Sequence, residues 1–249
     1  MDSRTFETPY GPIVLWGEAD AWASERPLVV AIAGAYATER GAFFHLAPHL
    51  APEADTVIGH LPGNHCPPLA HQSVDTFAAA YSYVISTAFT GRTVIACGAS
   101  IGGLVALALE APQIRRLVAA EPPLVMSKAW PLLATLRGKL AEAGNDAPAR
   151  AFVTNIFGVT ETAVQERRYD HLLEQLRLPA DVPVGERPLY PEREFDKLPS
   201  LVDEPERAKL AAHPRIRLHV LAGAGHNVLQ EAAPAFIALV RQAVRDAAG

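Results

Sequence analysis

Ser100 sits between two glycines in Gly98-Ala99-Ser100-Ile101-Gly102. Residues 93–97 ahead of it form a β-rich apolar run, and residues 104–109 behind it are apolar on every side. The motif therefore falls where a buried strand reverses into a buried helix. So sharp a reversal forces the central residue into strained backbone angles. It also presses together the positions two before and two after, where only small residues fit. The outcome is a hydroxyl held above a sheet edge at a helix N-terminus. Serine is a weak nucleophile until a base removes its proton, so the chemistry on offer is nucleophilic catalysis and it requires a partner such as histidine. These glycines do not form a nucleotide loop, because neither the dinucleotide spacing nor a Gly-Lys-Ser/Thr ending is present.

Five histidines cluster in one stretch, His45, His49, His60, His65 and His71. His45 and His49 are four apart, but Pro48 lies between them and no His-Glu-x-x-His occurs, so no metal is expected. Cys66 and Cys97 are the only cysteines, too few for a disulfide framework and without zinc-finger spacing. Cys97 reads as a buried small hydrophobe. Arg167-Arg168 and Glu192-Arg193-Glu194 read as solvated faces.

The elements that must position Ser100 alternate in kind. Residues 5–6 and 13–16 predict two short strands around the turn Pro9-Tyr10-Gly11-Pro12. Residues 28–33 are a continuous apolar strand stopped by Gly34. A helix is predicted from residue 38, with Phe43, Leu46, Ala47 and Leu50 on one face. A strand over 55–59, a turn at Leu61-Pro62-Gly63-Asn64 and a long helix over 73–89 capped by Ser73 or Asp75 follow. After the Ser100 region, residues 116–120 form a strand ended by Glu121-Pro122-Pro123. Strands alternating with helices predict an α/β architecture, a mostly parallel sheet with helices on both faces. That rhythm breaks over about 125–179, where helices are expected at 128–143, 147–156 and 160–178, with a capping box at Thr162 and Gln165. It resumes with strands at 182–184 and 216–221 and a closing helix over 229–247. The stretch 187–214 is rich in Pro and charge.

Together these motifs resemble the α/β-hydrolase superfamily over nearly the whole chain. The resemblance rests on Gly98-Ala99-Ser100-Ile101-Gly102, Ala33-Gly34-Ala35-Tyr36, Leu61-Pro62-Gly63-Asn64 and Ala224-Gly225-His226. It implies that His226, after the last strand and before the final helix, is the general base for Ser100. Similar hydrolases usually carry an Asp in a turn after the penultimate strand. The corresponding text here is Gly185-Glu186-Arg187-Pro188, which has none. Glu121 stands directly after strand 116–120, and some relatives, certain haloalkane dehalogenases among them, supply the acid from that earlier strand end. Glu121 is favoured, with Glu186, Asp203 or no acid at all as alternatives. The resemblance places the oxyanion donors at the backbone N–H groups of Ile101 and Ala35, each worth ~3–4 kcal/mol in the transition state. The histidine usual before Gly34 is Ala33 here.

The chain organisation implied is a first core part at 1–124, a helical cap at 125–179 and a second core part at 180–249. Under the cap, Tyr36, Met126, Trp130, Phe152 and Phe157 are expected to line an apolar pocket, with Leu133 and Ile156 as further candidates. Such a pocket suits a small, largely apolar ester, lactone or thioester, with no cofactor required. Composition agrees with a small-molecule enzyme. The chain has 249 residues, 49% of them hydrophobic, and a net charge of 22 − 27 = −5, which gives no general pull on nucleic-acid backbones. No apolar run approaches the ~20 residues needed to cross a bilayer, and no signal-like run follows Met1, so a cytoplasmic monomer or homodimer is expected. Two other readings stay open. One keeps the fold but changes the reaction, to that of a C–C hydrolase, perhydrolase, lyase or cofactor-free dioxygenase. The other is a non-catalytic ligand receptor.

Overall fold

In the computed structural model, residues 1–39 and 41–248 are described. Eight strands form one sheet: β1 (Asp2–Phe6), β2 (Ile13–Gly17), β3 (Leu28–Ile32), β4 (Asp55–Gly59), β5 (Val94–Ala99), β6 (Ile114–Ala120), β7 (Ala180–Gly185) and β8 (Ile216–Leu221). Their order is β1-β2-β4-β3-β5-β6-β7-β8. The β1–β2 and β2–β4 pairs are antiparallel and the remaining pairs are parallel. The central strands are buried on both faces, which is why they read as unbroken apolar runs. In β3, Leu28, Val30 and Ile32 point into one core cluster while Val29 and Ala31 point into another.

Helices α1 (Ala42–Leu50), α2 (Val74–Ala88) and α3 (Ile101–Leu107) follow β3, β4 and β5. α2 and α3 pack into the first cluster. α1 packs into the second with α8 (Val228–Glu231) and α9 (Ala233–Ala248), so the sheet is covered on both faces. The Ser73 hydroxyl caps α2 by accepting the Thr76 N–H at 3.1 Å, a contact worth ~1 kcal/mol. All seven residues of α3 are buried, as expected for a helix apolar on every side.

At the start of β7, Asp181 ties three strands together. It accepts from Arg116 at 2.6 Å, Arg217 at 2.9 Å and His219 at 2.8 Å. Burial alone would raise its pKa, but the hydrogen bonds from His219, Arg116 and Arg217 outweigh burial and hold it well below the usual carboxylate range.

Segment 125–179 differs in part from expectation. A 3-10 turn at Met126–Leu132 leads into α4 (Leu133–Ala143). α5 (Ala147–Ala151) continues as a π-helical turn, Phe152–Ile156. The helix expected over 160–178 shrinks to α6 (His171–Gln175). Gly158 adopts φ +71°, and isolated bridges pair Val159 with Val164 and Val125 with Arg168. Arg167 donates to the Asn155 carbonyl at 3.2 Å and so ties the returning chain down. The expected Thr162 capping box is replaced by a turn in which the Thr160 hydroxyl accepts from the Ala163 N–H at 3.0 Å.

Three further differences are local. α1 starts at Ala42 rather than 38. The closing helix divides at Ala232, which adopts non-helical angles, into α8 and α9. The Pro-rich stretch contains α7 (Glu204–Ala212), started by an Asp203–Glu206 capping box.

Candidate active site

β5 ends at Ala99 and α3 begins at Ile101, leaving Ser100 alone to make the reversal, at φ +54° and ψ −121°. The flanking glycines let it close. A side chain on Gly98 would collide with the Gly102 carbonyl, and one on Gly102 with the carbonyls of Ile32 and Ala33. The Ser100 N–H is held by the Ala120 carbonyl at 2.8 Å. Its hydroxyl does not cap α3 and points to a different partner.

That partner is His226, whose Nε2 lies 3.0 Å from Ser100 Oγ. The imidazole is carried on the loop between β8 and α8. The His226 N–H donates to the Leu198 carbonyl at 3.0 Å, and the chain passes so close there that Gly225 has no room for a side chain. Nδ1 lies 3.0 Å from Glu121 Oε2. Three stretches far apart in sequence thus meet at the ends of β5, β6 and β8.

Glu121 is 1% exposed and adopts φ +50° directly after β6. Its Oε1 accepts the Gly185 N–H at 2.6 Å and the Ser200 hydroxyl at 2.7 Å, and its Oε2 accepts the Leu201 N–H at 3.0 Å besides facing His226. Both carboxylate oxygens of this buried side chain are thus supplied with donors. Glu186 is elsewhere: it is exposed and accepts the Gly223 N–H at 2.9 Å. Asp203 caps α7 and pairs with Lys128 at 2.6 Å. Neither is placed at the His226 ring.

Ala35 and Ile101 lie where the loop after β3 and the first turn of α3 approach Ser100. No acceptor for either N–H is found among the described residues, so both donors are available to a developing oxyanion. Gly34 packs closely beside them: a Cβ there would sit 3.2 Å from the Ala99 carbonyl oxygen and 3.3 Å from the Ser100 Cβ.

A cavity of about 410 Å³ opens at Ser100 and His226. Its walls include Ala35, Tyr36, Phe43, Phe44, Ile58 and His60 from the core, and Leu132, Thr135, Leu136 and Phe157 from segment 125–179. None of the described lining residues is Asp, Glu, Lys or Arg. Burial, and after it the Glu142 carboxylate, pushes the Tyr36 phenol up to about 12, so it remains a protonated donor. Burial, assisted by neighbouring His65, pushes the His60 pKa down.

Of the five residues named for the pocket, Tyr36 and Phe157 line this cavity, and Met126, Trp130 and Phe152 do not. Met126 is 4% exposed within the main core. Trp130 packs on Phe195, with ring centres 5.8 Å apart, in a satellite cluster with Leu189 and Leu201. Phe152 meets Tyr36 edge-on, stacks on Phe77 and tilts against Phe157, and it supports the wall from behind. Apolar composition marked these residues as buried but did not show on which side of the wall they stand. Leu132, Thr135, Leu136, Leu198 and the run after His226 (Asn227, Leu229 and Gln230) are lining residues that the sequence reading missed. Only the last run carried a signal, its nearness to His226 at the start of a helix. Among the described residues, no group of three or more His, Cys, Asp or Glu side chains is arranged to hold a metal.

No family model and no curated protein matches the chain. Solved structures do. A thermophilic esterase from Thermogutta terrifontis superposes with a TM-score of 0.68 over 99% of this chain and 99% of its own, at 14% identity. The chain has the α/β-hydrolase fold. The thioesterase domain of the curacin biosynthetic pathway, at TM-score 0.62 and 18% identity, covers 96% of this chain and 99% of its own. A proline iminopeptidase from Mycobacterium smegmatis, at 0.65 and 16%, covers 98% of each. At such identities the likeness extends to the architecture alone. Within the α/β-hydrolase fold, β5 carries Ser100 and β6 carries Glu121, and no described helix is long and apolar enough to cross a membrane.

Proposed function

We propose that the protein is a serine hydrolase that cleaves small, largely apolar esters, lactones or thioesters through an acyl-enzyme on Ser100. The observation that carries this reading is the continuous line Ser100 Oγ–His226 Nε2, 3.0 Å, and His226 Nδ1–Glu121 Oε2, 3.0 Å. The named neighbours include an esterase and a thioesterase of the same fold, which supports ester chemistry.

Ser100 Oγ attacks the substrate carbonyl carbon while its proton passes to His226 Nε2. Glu121 keeps the other ring proton on Nδ1 and stabilises the imidazolium that forms. The tetrahedral oxyanion takes the free N–H groups of Ala35 and Ile101. Collapse expels the alcohol or thiol, which leaves with the proton from His226. His226 then deprotonates a water that attacks the acyl-enzyme; the second tetrahedral intermediate collapses by breaking the bond to Ser100 Oγ, which recovers its proton from His226, and the acid product departs. No cofactor takes part. Segment 125–179 acts as the cap of the site through Leu132, Thr135, Leu136 and Phe157, and the lack of charge on the described walls favours neutral acyl and alcohol groups. The occupied place at Nδ1 favours this reading over a non-catalytic receptor.

A fluorophosphonate probe should label the protein at Ser100, and Ser100→Ala should abolish both labelling and hydrolysis of 4-nitrophenyl butyrate. Labelling of undiminished rate in that variant identifies a different nucleophile and ends the proposal.

A further inference from the structure

The cradle around Glu121 is built from two separate lengths of chain, the end of β7 (Gly185) and the segment before α7 (Ser200 and Leu201). Their donors lie 2.6–3.0 Å from the carboxylate. One backbone bond links the two lengths directly, from the Ser200 N–H to the Arg187 carbonyl at 3.0 Å, and it leaves Gly185 and Val202 to be held by a side chain. Arg207 of α7 joins them. Its Nε donates to the Val202 carbonyl at 2.9 Å and its Nη2 to the Gly185 carbonyl at 2.5 Å. Gly185 therefore holds Glu121 through its N–H and is itself held through its C=O. Leu201 holds Glu121 while the next residue is held. The third nitrogen, Nη1, pairs with Glu204 at 3.2 Å, and that carboxylate is 84% exposed. Arg207 as a whole is 9% exposed.

We infer that Arg207 is a positioning residue for catalysis, a planar fork that fixes the two halves of the Glu121 cradle and through them the orientation of His226. The inference rests on the proposed Ser100–His226–Glu121 chemistry. A guanidinium suits this duty because its N–H groups are fixed in one plane and meet two carbonyls at once; a lysine ammonium has no such fork. If one half of the cradle shifts, Glu121 turns with the donors it keeps, and the imidazole leaves the line to Ser100. Misplacement of about 1 Å at a catalytic group costs on the order of 100-fold.

A double-mutant cycle tests this with 4-nitrophenyl butyrate as substrate and fluorophosphonate labelling as a second rate. Arg207→Lys should lower kcat by roughly 10- to 100-fold while KM moves less than about threefold, because the pocket walls are untouched. In a Glu121→Gln background the same change should cost less than about twofold more, since the group it positions no longer acts. Glu204→Gln, which removes only the exposed partner, should leave kcat unchanged. Full multiplicative losses in the cycle, a parental kcat in Arg207→Lys, or an effect on KM alone would each overturn the assignment. Arg207→Met covers the case of poor folding: if both Arg207 variants fail to fold, Arg207 is a stability element and the inference is wrong. These outcomes are separable from failure of the proposed function, which shows as turnover surviving in Ser100→Ala.

Discussion

Glu121→Gln isolates the carboxylate from every other feature of the site, because glutamine keeps the shape and changes one oxygen to an –NH2. The structure allows two placements of that amide. At the Oε1 position the –NH2 faces the Gly185 N–H, 2.6 Å from the present oxygen, and the Ser200 hydroxyl. The hydroxyl can turn to the Val202 carbonyl, 3.1 Å away, but the backbone donor cannot turn. At the Oε2 position the –NH2 faces the Leu201 N–H, which is equally fixed, and His226 Nδ1. There the ring yields by moving its proton to Nε2, the nitrogen that faces Ser100, and it can no longer act as a base. Either placement leaves one buried N–H without an acceptor, a cost of about 1–3 kcal/mol. In a chain of this size that lowers Tm by very roughly 2–12 °C. The catalytic loss is larger: an amide in place of a triad acid typically lowers kcat by ~10⁴, about 5 kcal/mol of transition-state stabilisation. We expect kcat on 4-nitrophenyl butyrate and the rate of fluorophosphonate labelling to fall together, by about 10³- to 10⁴-fold, with KM nearly unchanged. Glu186→Gln, which alters only a surface contact with Gly223, should behave like the parent. A Glu121→Gln enzyme within about tenfold of the parent, or a collapse in Glu186→Gln instead, refutes the role given to Glu121.

Two stability measurements probe the surroundings. Gly102→Ala places a Cβ against the carbonyls of Ile32 and Ala33 and should cost at least about 3 kcal/mol or abolish folding; Gly138→Ala, in α4 with nothing within 4 Å, should gain roughly 0.5–1 kcal/mol in thermal melts. Glu206 gives a pH signature. Burial pushes its pKa from 4.5 up to about 7, in spite of Lys128. A carboxyl whose folded pKa is raised disfavours folding where it is charged, so its contribution worsens as pH rises from about 4.5 to about 7, by up to ~3 kcal/mol. Glu206→Gln should therefore gain Tm relative to the parent between pH 5 and pH 8, and a difference that shrinks over that range contradicts the burial argument.

The parts of the fold that declared themselves in sequence were those whose surroundings are uniform. β3, β5 and the second half of β6 (Leu117 to Ala120) are buried and apolar, and α3 is enclosed on every side. The Ser100 reversal was legible because Gly98 and Gly102 answer a steric demand that is local to five residues. Glu121 was legible only as a carboxylate at a strand end; what distinguishes it from Glu186 is a set of donors arriving from Gly185, Ser200 and Leu201, contacts 64 to 80 residues away. No periodicity encodes such contacts. The same holds for Arg207, which in sequence is one charge in a Pro-rich stretch. The helix expected over 160–178 failed for a related reason. Its residues have the propensity, but the positive φ at Gly158 and the grip of Arg167 on the Asn155 carbonyl turn the chain back, and propensity is too weak to resist. Trp130 and Phe152 show the limit of hydrophobic patterning, which separates inside from outside but not wall from lining.

The end of β7 meets Glu121 with the backbone N–H of Gly185 instead of a side chain. The side chains of the turn that follows serve the loop that carries His226 and not its ring: Glu186 accepts the Gly223 N–H at 2.9 Å and Arg187 donates to the Gly223 carbonyl at 2.9 Å. Surveys that sort chains of this architecture into working and decayed copies by asking for an aspartate in that turn would discard this one, and a survey that accepted Glu186 there would pick a carboxylate bonded to Gly223, although the position beside the imidazole is occupied from a neighbouring strand. A test of intactness that asks which carboxylate lies against the ring, whatever its place in the chain, would keep it.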